Sequence, residues 1–96
     1  MEEVKIGGII YLIEVKDDFV GETGDWGQTN FKKSKITIDS NLEKQRENQI
    51  LVHEIVHGLF FEAGIEDDED KVNRLGLVLH QVLTDNDFSF LRKGVI

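Results

Sequence analysis

The apolar rhythm of the chain changes period twice, and each change marks a different element. Val4 to Ile6, Gly7-Gly8 and Ile9 to Val15 form two apolar runs around a glycine pair. This predicts a β-hairpin, because Gly-Gly supplies the positive φ angles of a tight primed turn. Residues 17 to 30, DDFVGETGDWGQTN, lose the pattern and are expected to form a surface loop with little regular structure. Lys35 to Asp39, KITID, alternates again and predicts a strand, with Phe31 a candidate to extend it backwards. The period then shifts to that of a helix. Ser40 and Glu43 are spaced as a capping box ahead of a helix from about Asn41 to Glu62, closed by Gly64. The first half of this helix, EKQRENQ, is polar. The second half is apolar nearly all round, as expected of a buried central helix.

A second helix is predicted from about Asp68 to Leu83 or Thr84, after the acidic run EDDED at residues 66 to 70. Acids in its first turn complement the helix dipole. Val72, Leu75, Leu79, Val82 and Leu83 make its apolar stripe. Phe88, Phe90 and Leu91 in the tail are expected to pack back on the core. The predicted class is α+β, with a small antiparallel or mixed sheet packed on a long helix and a second, antiparallel helix. The 96 residues suffice for one domain, residues 1–96, with one modest core.

Composition narrows the function classes. A net charge of −8 disfavours general binding to nucleic acid or anionic lipid. No apolar run approaches the roughly 20 residues of a membrane span. The start, MEEVKIGG, lacks the basic and apolar regions of a secretory signal. The absence of cysteine fits a reducing cytoplasm and leaves only His, Asp and Glu as metal ligands.

Two of the three histidines fall in HEIVH, residues 53 to 57. The H-E-x-x-H spacing puts His53 and His57 on one helix face, one turn apart, where both can hold one Zn²⁺. Glu54 is rotated away from His53 and can reach a water activated by the ion without having to bind the ion itself. It would serve as general base and then as general acid in peptide hydrolysis. Two core histidines bonded to carbonyls are the bland alternative. A closed site needs a third ligand, and no third histidine follows at metzincin spacing, where GLFFEAG stands. An antiparallel hairpin brings the start of the second helix opposite His57. Glu69 is the expected third ligand; Asp68 and Asp70 stay open, since a one-residue shift in the turn would exchange them. Asn73, one turn after Glu69, is a candidate to orient a ligand histidine. Gly76 predicts close helix packing. His80, on the same face, is a candidate to support the oxyanion or the ligands.

With HEIVH and EDKVNRLG placed, the chain resembles the small gluzincin-like metallopeptidases, in particular compact HExxH proteins of phages and prophages related to the ImmA/IrrE peptidase group. The group's second helix opens with a pattern like E-x-x-A-N-x-F-A, and Glu69, Val72, Asn73, Leu75 and Gly76 stand at the matching places. The resemblance covers roughly residues 36 to 86. Val72 and Gly76 replace alanines of the pattern, and the interval from His57 to Glu69 is short for a gluzincin. The resemblance implies a minimal zincin-like fold, a zinc cofactor and a peptide or protein substrate. It also implies a sheet edge along the cleft, given by KITID or by the loop before it. The competing class is a non-catalytic acidic phage-type interaction protein, a host-factor inhibitor or nucleic-acid mimic, with a structural or vestigial zinc site.

Overall fold

A computed structural model describes residues 2–92. It is an α+β fold whose four-stranded mixed sheet has the order β1-β2-β4-β3. Strands β1 (Glu2–Ile6) and β2 (Ile9–Lys16) form the expected hairpin, with Ile6 opposite Ile9. Gly7 and Gly8 take φ of 58° and 85°, the double positive φ of a type I′ turn. Strand β4 (Lys35–Asp39) pairs parallel with β2, Ile36 standing opposite Ile13.

The stretch expected to be an irregular loop contains two elements. A short helix α1 (Phe19–Thr23) ends at Gly24, whose φ is 80°. It is held from a distance, because the buried Asp39 carboxylate accepts from the Val20 N–H at 2.7 Å. Strand β3 (Gly27–Asn30) pairs antiparallel with β4, with Thr29 opposite Ile36. Its sequence, GQTN, has no apolar alternation; the neighbouring strand and helix order it. Consequently KITID lies inside the sheet and β3 forms the edge. Phe31 does not extend β4. It sits in the turn between β3 and β4 and stacks on Phe61, with ring centroids 4.5 Å apart.

Helix α2 (Lys44–Ala63) begins three residues later than predicted. Ser40 is not its cap. The Ser40 N–H still donates to the Lys16 carbonyl, in register with the sheet, and its hydroxyl donates to Asp17. Glu43 occupies the cap position without a side-chain hydrogen bond. At the other end the Ile65 N–H donates to the Phe60 carbonyl and the Gly64 N–H to that of Phe61, with Gly64 at φ 72°. This is a Schellman closure.

Helix α2 has the sheet on one side and α3 (Glu69–Asp85) on another. That double contact explains its nearly all-round apolar second half. Ile6, Tyr11, Ile36 and Ile38 fill the layer between sheet and α2. Val56, Phe60 and Val72 fill the layer between the helices. Helix α3 buries Val72 and Gly76, with Leu79 and Val82 half-buried. Leu75 and Leu83, expected in its buried stripe, are 52% and 48% exposed. Gly76 lets α3 lie close to α2 at His53. A last turn, α4 (Ser89–Arg92), follows. Phe88 and Phe90 lean on each other at 6.3 Å, and Phe90 and Leu91 remain exposed instead of packing on the core.

Candidate metal centre

The HEIVH segment lies in the buried half of α2, where one turn of helix separates His53 from His57. Their rings meet edge-on, with centroids 4.9 Å apart. The Schellman turn reverses the chain, and Asp68 then caps α3 by accepting from the Lys71 N–H. Five residues thus separate the helices, and the first residue of α3 is Glu69. Its carboxylate meets both histidines: Oε1 lies 2.9 Å from His53 Nε2, and Oε2 lies 3.1 Å from His57 Nε2.

The acidic run therefore divides by task. Asp68 is the cap, and Asp70 pairs with Arg74 on the surface at 3.3 Å. Asp67 accepts at 2.9 Å from Nδ1 of His57, on the side of the ring opposite Glu69. Sequence reasoning gave that orienting task to Asn73. Asn73 lines the cleft but has no hydrogen bond to either imidazole among the described residues. Asp67 was concealed in the run of acids, because only the geometry of the turn separates it from its neighbours. His80 lies beyond His53 in an adjoining side cavity, away from Glu54.

Glu54 is 7% exposed and points toward the sheet edge. Thr29 of β3 donates its hydroxyl to Glu54 Oε1 at 2.8 Å. The same hydroxyl lies 3.1 Å from the Glu54 carbonyl oxygen, so β3 and α2 are tied at this residue. Burial pushes the Glu54 carboxyl above its usual range. The Thr29 hydroxyl and the charges of His57 and His53 oppose that rise, while Glu69 adds to it. Thr29 lies in the segment expected to be a loop, and nothing in its local sequence marks it.

These residues line one open cleft of about 660 Å³, with Trp26 and Gly27 along one wall and α3 along the other. The chain matches no protein-family model, no curated protein and no solved structure. The arrangement itself therefore has to carry the chemistry.

The donor set fits zinc. One nitrogen from each histidine and one Glu69 oxygen lie within 4.8 Å of one another. Tetrahedral ligands at zinc bond lengths stand roughly 3.3 Å apart, a spacing that small side-chain rotations reach from here. Both histidines come from one helix and the carboxylate from the first residue of the next. Two imidazoles and one carboxylate leave a fourth position open, the composition of a catalytic site rather than of a closed structural one. The hydrogen bond from Asp67 to the far nitrogen of His57 is the kind of outer contact that fixes a ligand ring.

Proposed function

We propose that the chain is a zinc-dependent peptidase with a minimal zincin-like fold, in which His53, His57 and Glu69 hold the metal. The observation that carries this reading is the convergence of both Nε2 atoms on the Glu69 carboxylate, with the buried Glu54 beside them in an open cleft. Zinc, when bound, would supply a Lewis acid able to polarise a peptide carbonyl and activate water near neutral pH.

The remaining work falls to the chain. Glu54 takes the proton from the attacking water and returns it to the leaving amine. Its burial suits the first half, because a carboxyl raised above its usual range takes up a proton more readily, and the more basic leaving amine draws that proton off in the second. Thr29 fixes the direction of that carboxylate. Asp67 holds the ring of His57. Strand β3 leaves one edge unpaired beside the cleft, since the sheet ends there. An extended peptide can pair with it by main-chain hydrogen bonds, which binds a backbone without dictating its side chains. The likeness to the ImmA/IrrE group, a phage-type origin and a cytoplasmic site of action belong to the same proposal. Among the described residues, no helix is long and apolar enough to cross a membrane.

The test measures metal content and hydrolysis together. The protein, purified without a histidine tag, is expected to hold one zinc per chain and to lose it in His53→Ala and Glu69→Ala. Glu54→Gln should keep the zinc and lose turnover by about 10²- to 10⁴-fold, the usual contribution of a general base. Zinc-free protein that stays zinc-free in excess metal would overturn the reading. So would a Glu54→Gln variant that hydrolyses peptides as fast as the parent.

A further inference from the structure

Beyond His53, the floor of the cleft opens into a second cavity of about 210 Å³ between α2 and α3. It shares Ile50, His53 and Asn73 with the cleft, so the two lie side by side with His53 between them. Their charges are opposite. The main cleft carries Asp25, Glu54, Asp67 and Glu69. The side cavity is lined by no acid at all, although the chain has 19 acids against 11 lysines and arginines. Its polar groups are Arg46, Gln49, Asn73 and His80, and Leu77 forms an apolar wall.

Arg46 is held in place on two sides. Its Nη1 donates to Gln49 Oε1 at 3.2 Å, and its guanidinium lies 5.8 Å from the centre of the Trp26 ring across the cleft. An arginine over an indole face is attracted by the ring, and the guanidinium donors that Gln49 does not take stay available. Among the described residues Arg46 makes no ion pair, as is also true of Lys5, Lys32, Lys33, Lys71 and Arg92, but Arg46 alone of these lines the side cavity. An exposed guanidinium without an ion pair at an acid-free cavity can accept a carboxylate with two parallel hydrogen bonds.

We propose that this side cavity is a substrate subsite for an acidic side chain, glutamate or aspartate, adjacent to the bond that is cut, with Arg46 as its anchor and Gln49 and His80 as further polar partners. Leu77 and Ile50 pack on the aliphatic part of the bound side chain. The edge strand β3 binds backbone and reads no sequence, so this subsite supplies the selectivity that the shallow cleft lacks. Its meaning as a substrate subsite rests on the peptidase reading, but its occupancy by a carboxylate does not.

The experiment therefore reads binding rather than turnover. Zinc-loaded full-length protein is titrated with N-acetylated, C-amidated pentapeptides that differ only in Glu or Gln at the central position. Amide shifts are followed by NMR at Gln49, Leu77 and His80 and, separately, at His57 and Asp67. The glutamate peptide should shift the first group at concentrations at least tenfold below the glutamine peptide. Arg46→Glu should abolish that preference, and Arg46→Lys should keep part of it. Equal binding of the two peptides would overturn the subsite. So would a preference that survives Arg46→Glu, or shifts confined to His57 and Asp67, where the carboxylate would have gone to the metal. A protein that shows the preference but hydrolyses nothing would keep the subsite and refute the peptidase.

Discussion

Asp67 is the residue whose role depends most on geometry. Its carboxylate meets the nitrogen of His57 that faces away from Glu69, and with a metal bound it would favour the tautomer that leaves Nε2 free as a ligand. Asp67→Ala should weaken zinc binding by about 10- to 100-fold without abolishing it, the usual effect of losing an orienting partner. Competition with a chromophoric chelator measures this directly, and an unchanged affinity would remove Asp67 from the site. HEIVH and Glu69 were legible because both are set by helix period and by a short turn. Asp67 and Thr29 were not, because one differs from its acidic neighbours only in turn geometry and the other arrives on a strand without a strand pattern. A second residue reports on the fold alone. The fully buried Tyr11 donates to Glu62 at 2.6 Å, and burial, then this bond, raises its hydroxyl from 10.0 to about 12. The folded state holds that proton more tightly than the unfolded chain does. The stabilisation is therefore complete below pH 10 and is lost as the pH rises toward about 12. Tyr11→Phe should flatten this alkaline loss while lowering stability at neutral pH by about 1.5 kcal/mol, for the lost bond to a carboxylate. Urea melts at pH 7, 10 and 11.5 check both effects, and an alkaline slope identical to the parent's would refute the assignment.

At the scale of elements, the site depends on how α3 lies against α2. Gly76 faces His53, and a methyl group placed on it would stand 3.5 Å from the His53 Cα, an ordinary contact. Gly76→Ala should therefore fit and stabilise the protein by up to about 1 kcal/mol, the helix-propensity difference between the two residues. Gly76→Leu places a much larger side chain at that contact. It should push α3 away from the turn that carries His53 and weaken zinc binding more than it lowers the melting temperature. Denaturation and metal affinity of the two variants separate these effects, and zinc binding unaffected by leucine would show that Glu69 reaches the histidines independently of this packing. The two helices were legible as a hairpin from their period, their acidic turn and the glycine stop. The sheet was legible only in part. The hairpin carries apolar runs around Gly7-Gly8 and β4 carries apolar alternation, but β3 has Gly27 and Thr29 on its inward face and polar residues outward. A side chain at Gly27 would come within 2.6 Å of Ile50, so the close approach of α2 excludes the residue types that announce a strand. The edge that borders the cleft is thus the element least visible in the sequence, for a reason tied to its position.

Across the whole molecule, the cleft side concentrates negative charge that the rest of the fold does little to offset. The chain carries −8 overall, and Glu69, Asp67 and the raised, buried Glu54 share one depression. Without a cation this cluster opposes compaction through like-charge repulsion, and a bound divalent ion removes that penalty. A metal held by His53, His57 and Glu69 would also bridge α2 to α3, which pack on each other through Val56, Phe60 and Val72. Folding and zinc binding should therefore be linked. At a free zinc concentration of 100 times the dissociation constant, a ligand bound only by the folded state contributes about 2.7 kcal/mol. In a domain of this size each kcal/mol raises the melting temperature by about 4–8 °C. Zinc should then raise it by about 10–20 °C, reversibly with EDTA, and His53→Ala should abolish the rise. Magnesium, which favours oxygen ligands and octahedral geometry, should give little of it. Differential scanning calorimetry in zinc, magnesium and EDTA measures the three cases. An equal rise with both ions would mean that the acids merely attract positive charge, and no rise with zinc would mean that the histidines and Glu69 hold each other rather than a metal.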